Sequence, residues 1–351
     1  MYIIIAIIAF GLLIAVHELG HFTAAKLLGV RVNEFAIGMG PKILKKQGKE
    51  TLYSLRVFPF GGFCAMDEDN EAVDSRSFTA QKRWRRVVIL AAGGFANILA
   101  AFIIVIIIVS GMKSFGGTTL AAIVDGFPDD GANGLQVGDT ILSINGERIY
   151  YTDDFLFMMD FFGKSHVDVV IRRDGEKITL NNYNLVRRDF IINGESVHRF
   201  GLTFNILEAN LKEGFKHSCY MTYNFVRLIR LSIAQLISGA AGVKDLAGPV
   251  AIVDAMNNMG QAAPTVGVAL LNIAQFTAFI GVNIALVNFL PIPAMDGGRI
   301  LFTFVNWVIE KITRRKLNAK YEGYIHMTMM VLLMGLMVFI LINDVLRIIR
   351  G

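Results

Sequence analysis

Three side chains near residue 20 have the types and the spacing of a catalytic metal site. His17 and His21 are four residues apart, so on a helix both rings lie on one face and can bind the same metal ion. Glu18 follows His17 directly, where it can take a proton from a water that the metal activates. Zinc suits this role, because it lowers the pKa of a bound water from 15.7 towards about 7.

A catalytic zinc site usually has a third protein ligand, and the sequence offers one far along the chain. Residues 288–298 read Asn-Phe-Leu-Pro-Ile-Pro-Ala-Met-Asp-Gly-Gly, at the end of an apolar segment. The prolines break a helix and leave carbonyls and a carboxylate free to face a site. We predict Asp296 as the third ligand, although it could instead cap a helix that begins at Gly297. Asn288 is predicted to hydrogen-bond the substrate backbone or a developing oxyanion.

Membrane helices are the elements that must position these residues. Of the 351 residues 54% are hydrophobic and 18% are charged, against roughly 45–50% apolar in an ordinary soluble domain. An ionisable residue at the centre of a membrane helix costs roughly 2.5–3.5 kcal/mol, so three of them within five positions favour a metal site over a chance pattern. Four nearly uncharged runs approach or exceed the roughly 20 residues of a membrane crossing: 2–16, 87–112, 266–290 and 327–342.

The net charge of +5 is distributed as in a membrane protein and not as in a nucleic-acid-binding one. Basic residues cluster in the two loops that join the first run to the second and the third to the fourth, above all at 82–86 and 311–320. The positive-inside rule makes these loops cytoplasmic and puts the termini and the middle segment outside. No Lys or Arg precedes the first run, which indicates a membrane helix and not a cleaved signal peptide. Cys64 and Cys219 then lie on opposite sides, so no disulfide is expected.

The chain divides into seven predicted segments. The middle one is β-rich, because short β-branched runs alternate with turns such as Asn145-Gly146 and Asp174-Gly175. The segments are helix 1 at 1–24, a cytoplasmic loop with a membrane-dipping β element at 25–86, helix 2 at 87–112, an extracytoplasmic β-rich domain at 113–205, an amphipathic peripheral linker at 206–262, helix 3 with a second cytoplasmic loop at 263–323, and helix 4 at 324–351.

Taken together, the two metal-site motifs resemble those of the site-2 protease family of intramembrane zinc metalloproteases. The resemblance covers most of the chain, and it implies that His17, His21 and Asp296 bind zinc, that Glu18 is the catalytic acid and base, and that Asn288 assists substrate binding. Within the family the chain is most similar to bacterial enzymes of regulated intramembrane proteolysis, which release membrane-bound anti-sigma factors. This implies a bacterial inner-membrane protease that is in contact with lipid and cuts single-pass proteins, such as anti-sigma factors or signal-peptide remnants.

Three further stretches resemble parts of this family. Residues 93–97, Gly-Gly-Phe-Ala-Asn, match a Gly-x-x-x-Asn motif with Gly94 in place of the usual proline; alone they indicate helix packing with a polar contact. Residues 60–66 resemble a membrane-dipping β element that can pair with an extended substrate. Residues 126–146 resemble a PDZ domain, which acts either as a peptide receptor or as a size filter. The expected fold class is therefore a polytopic membrane protein with four transmembrane helices, a membrane-associated β element and an inserted PDZ-like domain.

Two other classes of function fit parts of the sequence. A zinc-binding membrane transporter would also place His and Asp in helices, but it predicts such residues along a path and not at one point. A catalytically silent PDZ scaffold is disfavoured by the intact Glu18. The remaining histidines predict no chemistry: His166, His198 and His217 are expected at the surface or in packing of the β-rich domain, and His326 at the membrane interface.

Overall fold

The computed structural model describes residues 1–66, 75–125, 127, 134–192, 195–242, 246–314 and 319–350. In these ranges the chain forms eight helices and ten strands. It divides into two compact units, which are considered separately. Unit 1 comprises Met1–Ile108 and Phe225–Gly351, and unit 2 comprises Val109–Asn224.

Four long apolar helices dominate unit 1, which confirms that part of the predicted fold class. Each contains a stretch of mean hydropathy between 1.8 and 2.7 and is long enough to cross a membrane. Thr265 begins the third of them by accepting a hydrogen bond from the Val268 amide, and the helix ends just before Pro291. The four are α1 (Tyr2–Leu27), α2 (Arg83–Ser110), α6 (Val266–Phe289) and α8 (Ala319–Arg350).

Small residues let α1 lie close to its neighbours in unit 1. A Cβ on Gly20 would come within 2.4 Å of the carbonyl oxygen of Ala92, so the contact between α1 and α2 requires glycine there. On another face of α1, Leu13 packs in a buried cluster that joins α1 to α5 (Pro249–Ala262) and α6. The other buried members of that cluster are Ala6, Met256, Ile273 and Ile280. This packing fixes the rotation of α1 and therefore the direction of its polar face.

Between α1 and α2, the chain forms a sheet from β1 (Val32–Gln47) and β2 (Leu52–Met66). The sequence predicted a β element within a loop, and its two strands run for 16 and 15 residues. Positive φ angles at glycines such as Gly38 and Gly61 bend the strands without ending them. Phe35 pairs both with Cys64 and with Tyr53, so the two long strands double back into shorter paired segments.

Unit 2 contains an antiparallel sheet in the order β10-β3-β4-β6-β7, with β5 paired to β4, and a separate β8–β9 pair. At the two predicted turns, Asn145-Gly146 and Asp174-Gly175, all four residues have positive φ, as tight hairpins require. Residues 126 and 128–133 of the PDZ-like motif lie outside the described residues. The elements are β3 (Ser114–Ile123), β4 (Thr140–Ile144), β5 (Glu147–Arg148), α3 (Thr152–Phe162), β6 (His166–Arg173), β7 (Glu176–Asn184), β8 (Arg188–Ile192), β9 (Glu195–Arg199) and β10 (Leu202–Glu208).

Two further helices occupy segments that were predicted without defined elements or with only a partial helix. The amphipathic linker predicted at 206–262 contains α4 (Leu211–Ser238). Directly after the proline-rich turn, α7 (Asp296–Thr313) occupies residues that the sequence assigned to a cytoplasmic loop. Asp296 is therefore the first residue of a helix, which restricts the directions that its side chain can take.

Candidate metal centre

His17, His21 and Asp296 meet at one point of unit 1. The two histidine Nε2 atoms each lie 3.2 Å from Oδ2 of Asp296, and they are 3.2 Å from each other. Tetrahedral zinc with bonds of about 2.0–2.2 Å places its ligand atoms roughly 3.3–3.6 Å apart. The three atoms are therefore spaced much as ligands of one zinc ion would be, and nitrogen and carboxylate oxygen are atoms that zinc accepts.

The second ring nitrogen of His21 determines how that ring can be used. Nδ1 lies 2.8 Å from the backbone oxygen of Ile89, which can only accept a hydrogen bond, so Nδ1 is the donor. In the neutral ring, Nε2 then presents a lone pair to the Asp296 carboxylate, which also carries lone pairs. A cation between these atoms resolves the conflict, and a backbone carbonyl behind a histidine is a common way to orient a metal ligand.

Helix α2 approaches the two histidines through a glycine. A Cβ on Gly93 would lie 2.4 Å from Nε2 of His21 and 2.9 Å from Cε1 of His17. On the adjacent residue, Gly94, a Cβ would lie 2.6 Å from the ring of Phe289 at the end of α6. The 93–97 stretch therefore makes room for the histidine rings and for the end of α6, which is more than ordinary helix packing.

The turn before α7 directs Asp296 to the histidines. The N-cap of α7 is Met295, with no side-chain capping bond, and Asp296 is the first helical residue. Two glycines allow the turn to fold back tightly, because a Cβ on Gly297 would lie 2.3 Å from the Leu290 oxygen and one on Gly298 2.2 Å from the Ile292 oxygen. Asp296 therefore does not occupy the N-cap position that the sequence left open. Its carboxylate faces the two histidine rings.

Glu18 and Asn288 line the same cavity as the three candidate ligands. This cavity has a volume of about 1360 Å³. The Cys64 backbone hydrogen-bonds the Glu18 carboxylate, and Gly62 lies against the Glu18 side chain. Asn288 donates one amide hydrogen to the Ile284 oxygen at 3.0 Å. The same cavity is lined by polar residues, namely Gln81, Lys82, Arg83, Arg86, Arg299 and Glu310. These side chains give the cavity that holds the candidate ligands a partly polar wall.

One residue at this site was not predicted from the sequence, and one predicted contact does not form among the described residues. His326, predicted only as interfacial, lines the cavity, and its Nδ1 accepts a hydrogen bond from the Ala294 amide. No motif spacing signals this, because the two residues are 32 positions apart. The polar contact expected of Asn97 is absent among the described residues, where its amide is fully buried without a partner. In unit 2, His217 is buried, whereas His198 is exposed and pairs with Asp189.

Known proteins resemble this chain over nearly its whole length. The sequence pattern of peptidase family M50 matches residues 5–336. A protein of Clostridium perfringens named as a candidate zinc metalloprotease is 37% identical over 349 residues, covering 98% of each chain. A Clostridium acetobutylicum protein with the same kind of name is 34% identical over 351 residues, covering 98% of this chain and 97% of its own. The regulator of sigma-W protease RasP of Bacillus subtilis is 26% identical over 429 positions, covering 98% of each chain.

Proposed function

Because the chain belongs to peptidase family M50 and is a multi-pass zinc metalloendopeptidase of the membrane, we propose that it hydrolyses peptide bonds of transmembrane segments within the bilayer. The observation that carries this proposal is the triangle of His17, His21 and Asp296, with sides of 3.2 Å, beside Glu18 at an apolar helix. In this assignment the three residues of the triangle bind zinc, Glu18 is the acid and base, and Asn288 binds substrate.

The chemistry divides between the metal and the chain. When bound, zinc polarises the scissile carbonyl and lowers the pKa of a water towards about 7. Glu18 takes the proton from the attacking water and delivers it to the leaving amide nitrogen. The hydrogen bond from the Cys64 backbone orients that carboxylate. One amide hydrogen of Asn288 is held by Ile284, which leaves the other to bind the substrate backbone or the developing oxyanion.

The edge of the β1–β2 sheet gives a way to hold an unwound substrate. A helical substrate bonds its own carbonyls and shields them, so it must unwind locally before it can be cut. Among the described residues, 62–66 pair with one neighbouring segment only, and Gly62 and Cys64 lie against Glu18. We propose that the substrate adds as a strand along 62–66. Weak helix formers such as glycine near the cut favour this unwinding.

The proposed setting is the bacterial inner membrane, with the basic loops in the cytoplasm. Exposed Ile43, Leu44, Val57 and Phe58 on the β1–β2 sheet support an element that enters the membrane. Anti-sigma factors and signal-peptide remnants are the substrates that the family resemblance implies, and one relative is named for the regulation of sigma-W.

For unit 2 we propose an extracytoplasmic PDZ-like domain that filters substrates by size. Its antiparallel sheet with one helix before β6 supports a PDZ-like fold. Deleting about 118–205 should then admit a substrate with a bulky outer domain that the intact enzyme rejects. A peptide receptor predicts a different result, a higher KM for a trimmed substrate and no change in selectivity.

The test of the proposed activity uses the purified chain in lipid vesicles with a single-pass substrate that carries glycines in its span. The wild type is expected to cut within the span, as mass spectrometry of the products would show. Glu18→Gln should keep its zinc and lose about 10²–10⁴-fold in turnover, because it removes the base and no ligand. Glu208→Gln, an exposed glutamate of unit 2, is the matched control and should be fully active. Cleavage only outside the span would refute the intramembrane assignment.

A further inference from the structure

The turn that presents Asp296 has an unfavourable backbone conformation. Ala294 has φ +79°, in the left-handed region that non-glycine residues rarely adopt. Two tight backbone bonds close the turn on either side, from the Ile292 amide to the Leu290 oxygen at 2.7 Å and from the Met295 amide to the Ile292 oxygen at 3.1 Å. Such a conformation persists only where its surroundings hold it.

His326 of α8 provides an external contact to this turn. Its Nδ1 lies 2.8 Å from the Ala294 amide nitrogen and accepts that hydrogen bond. As an acceptor, Nδ1 carries no proton, so a neutral ring has its proton on Nε2. The ring also packs against Phe302 of α7, with centroids 5.1 Å apart. His326 therefore touches both the strained turn and the helix that Asp296 begins.

The contact is not a by-product of close packing by α8. None of the most apolar 18-residue stretch of this helix is buried. Yet four of its residues line the cavity that holds the candidate ligands, namely Gly323, His326, Met327 and Met330. The hydrogen bond to Ala294 is thus a specific polar contact between a largely exposed helix and the turn.

We propose that His326 is a positioning residue for the metal centre, one that acts through the Ala294 amide. By holding this amide two residues before Asp296, it fixes the direction in which the Asp296 carboxylate meets His17 and His21. The inference rests on the proposed role of Asp296 as a zinc ligand. Supporting contacts of this kind are commonly worth 10–100-fold in metal affinity or activity.

The test compares substitutions that separate the acceptor from the ring. His326→Phe keeps the ring and its packing on Phe302 but removes the acceptor, whereas His326→Asn keeps an acceptor at a similar position. Met334→Leu, two turns further along α8 at an exposed position, controls for substitution on this helix. If the Phe variant is not recovered in folded form, His326→Leu removes the same acceptor with a smaller apolar side chain.

Zinc affinity is measured by chelator competition on the purified full-length protein, together with kcat, KM and the thermal stability of the metal-free form. We expect His326→Phe to weaken zinc binding about 10–100-fold and to lower kcat more than KM. His326→Asn should recover most of both, and Met334→Leu should match the wild type. The metal-free melting temperature should be nearly the same in all of them.

Two results would overturn the inference. The first is wild-type zinc affinity and kcat in the acceptor-free variant. The second is a loss that follows the melting temperature of the metal-free protein and is not rescued by Asn. Asp296→Ala separates this inference from the proposed function: if that variant keeps its zinc, the ligand assignment fails. If it loses zinc while His326→Phe retains it, only the role of His326 fails.

Discussion

Asp139 in unit 2 and Asp296 in unit 1 are both largely withdrawn from solvent, but their partners differ in kind. Asp139, with 1% of its side chain exposed, accepts hydrogen bonds at 2.8 Å from Nε and Nη2 of Arg173 and from the Gln136 amide. Asp296, with 18% exposed, faces two histidine rings at 3.2 Å. A carboxylate paired with a permanent guanidinium is complete within the chain. One that faces two imidazoles has partners without a permanent charge, which suits the proposed zinc site.

The comparison predicts opposite outcomes for the two aspartates. Asp296→Ala should lose bound zinc and all measurable activity while unit 2 stays folded, since the proposed third zinc ligand is gone. Asp139→Ala should keep zinc and destabilise unit 2 by roughly 1.5–3 kcal/mol, because the charge-assisted hydrogen bonds to Arg173 are lost. Zinc content by atomic absorption and unfolding followed by limited proteolysis distinguish the two. Equal zinc loss in both variants would contradict the contrast.

A second pair of substitutions sharpens the contrast within unit 1. Gly93→Ala puts a methyl group 2.4 Å from Nε2 of His21, so the ring must move and zinc affinity should fall about 10–100-fold. Gly335→Ala on α8 is the matched control, because a Cβ there meets nothing within 4 Å. It should bind zinc as the wild type does. Chelator competition measures both, and unchanged affinity in Gly93→Ala would mean that the rings tolerate displacement.

The smallest expected effect concerns a second buried polar group of unit 2. His217 stacks on Phe115 at 4.5 Å and on the edge of Tyr151. Burial lowers the pKa of His217 from its usual 6.5, against the attraction of Asp153 and Glu213. Below about pH 6.5 the unfolded chain therefore binds a proton that the folded unit resists, and stability falls as the pH drops.

The check is chemical unfolding of unit 2 within the whole protein at pH 7.5 and pH 5.5. His217→Phe, which retains the aromatic packing, should lose part of the pH dependence that the wild type shows. Identical pH slopes in the two proteins would show that the histidine does not contribute. At each pH the wild type and His217→Phe should contain the same amount of zinc, because His217 lies outside the proposed metal centre.

The residues predicted to do chemistry could be found from the sequence because their signals are local. His17, Glu18 and His21 lie within one helical turn of each other, and residues 288–298 carry two prolines and two glycines that mark a tight turn. The four apolar helices were likewise visible, since composition alone identifies a segment of that length. In each case the information lies within about 25 consecutive residues.

Contacts between distant segments could not be found in this way. Gly93 matters because it meets the ring of His21, and His326 because it meets the amide of Ala294; each is a through-space relation with no periodic signal. The helix α7 was missed because its 18 residues are amphipathic and follow a proline-rich turn that looks like the start of a loop. The length of β1 and β2 depends on bends at glycines, which normally indicate the end of a strand.

The separation of the candidate ligands along the chain has a consequence for biosynthesis. His21 emerges from the ribosome 275 residues before Asp296 (296 − 21), and the two histidines alone make an incomplete zinc site. At about 5–20 residues per second, that interval is roughly 14–55 s. With the proposed ligand set, proteolytic competence is expected only after Asp296 has been synthesised, when most of the polypeptide already exists.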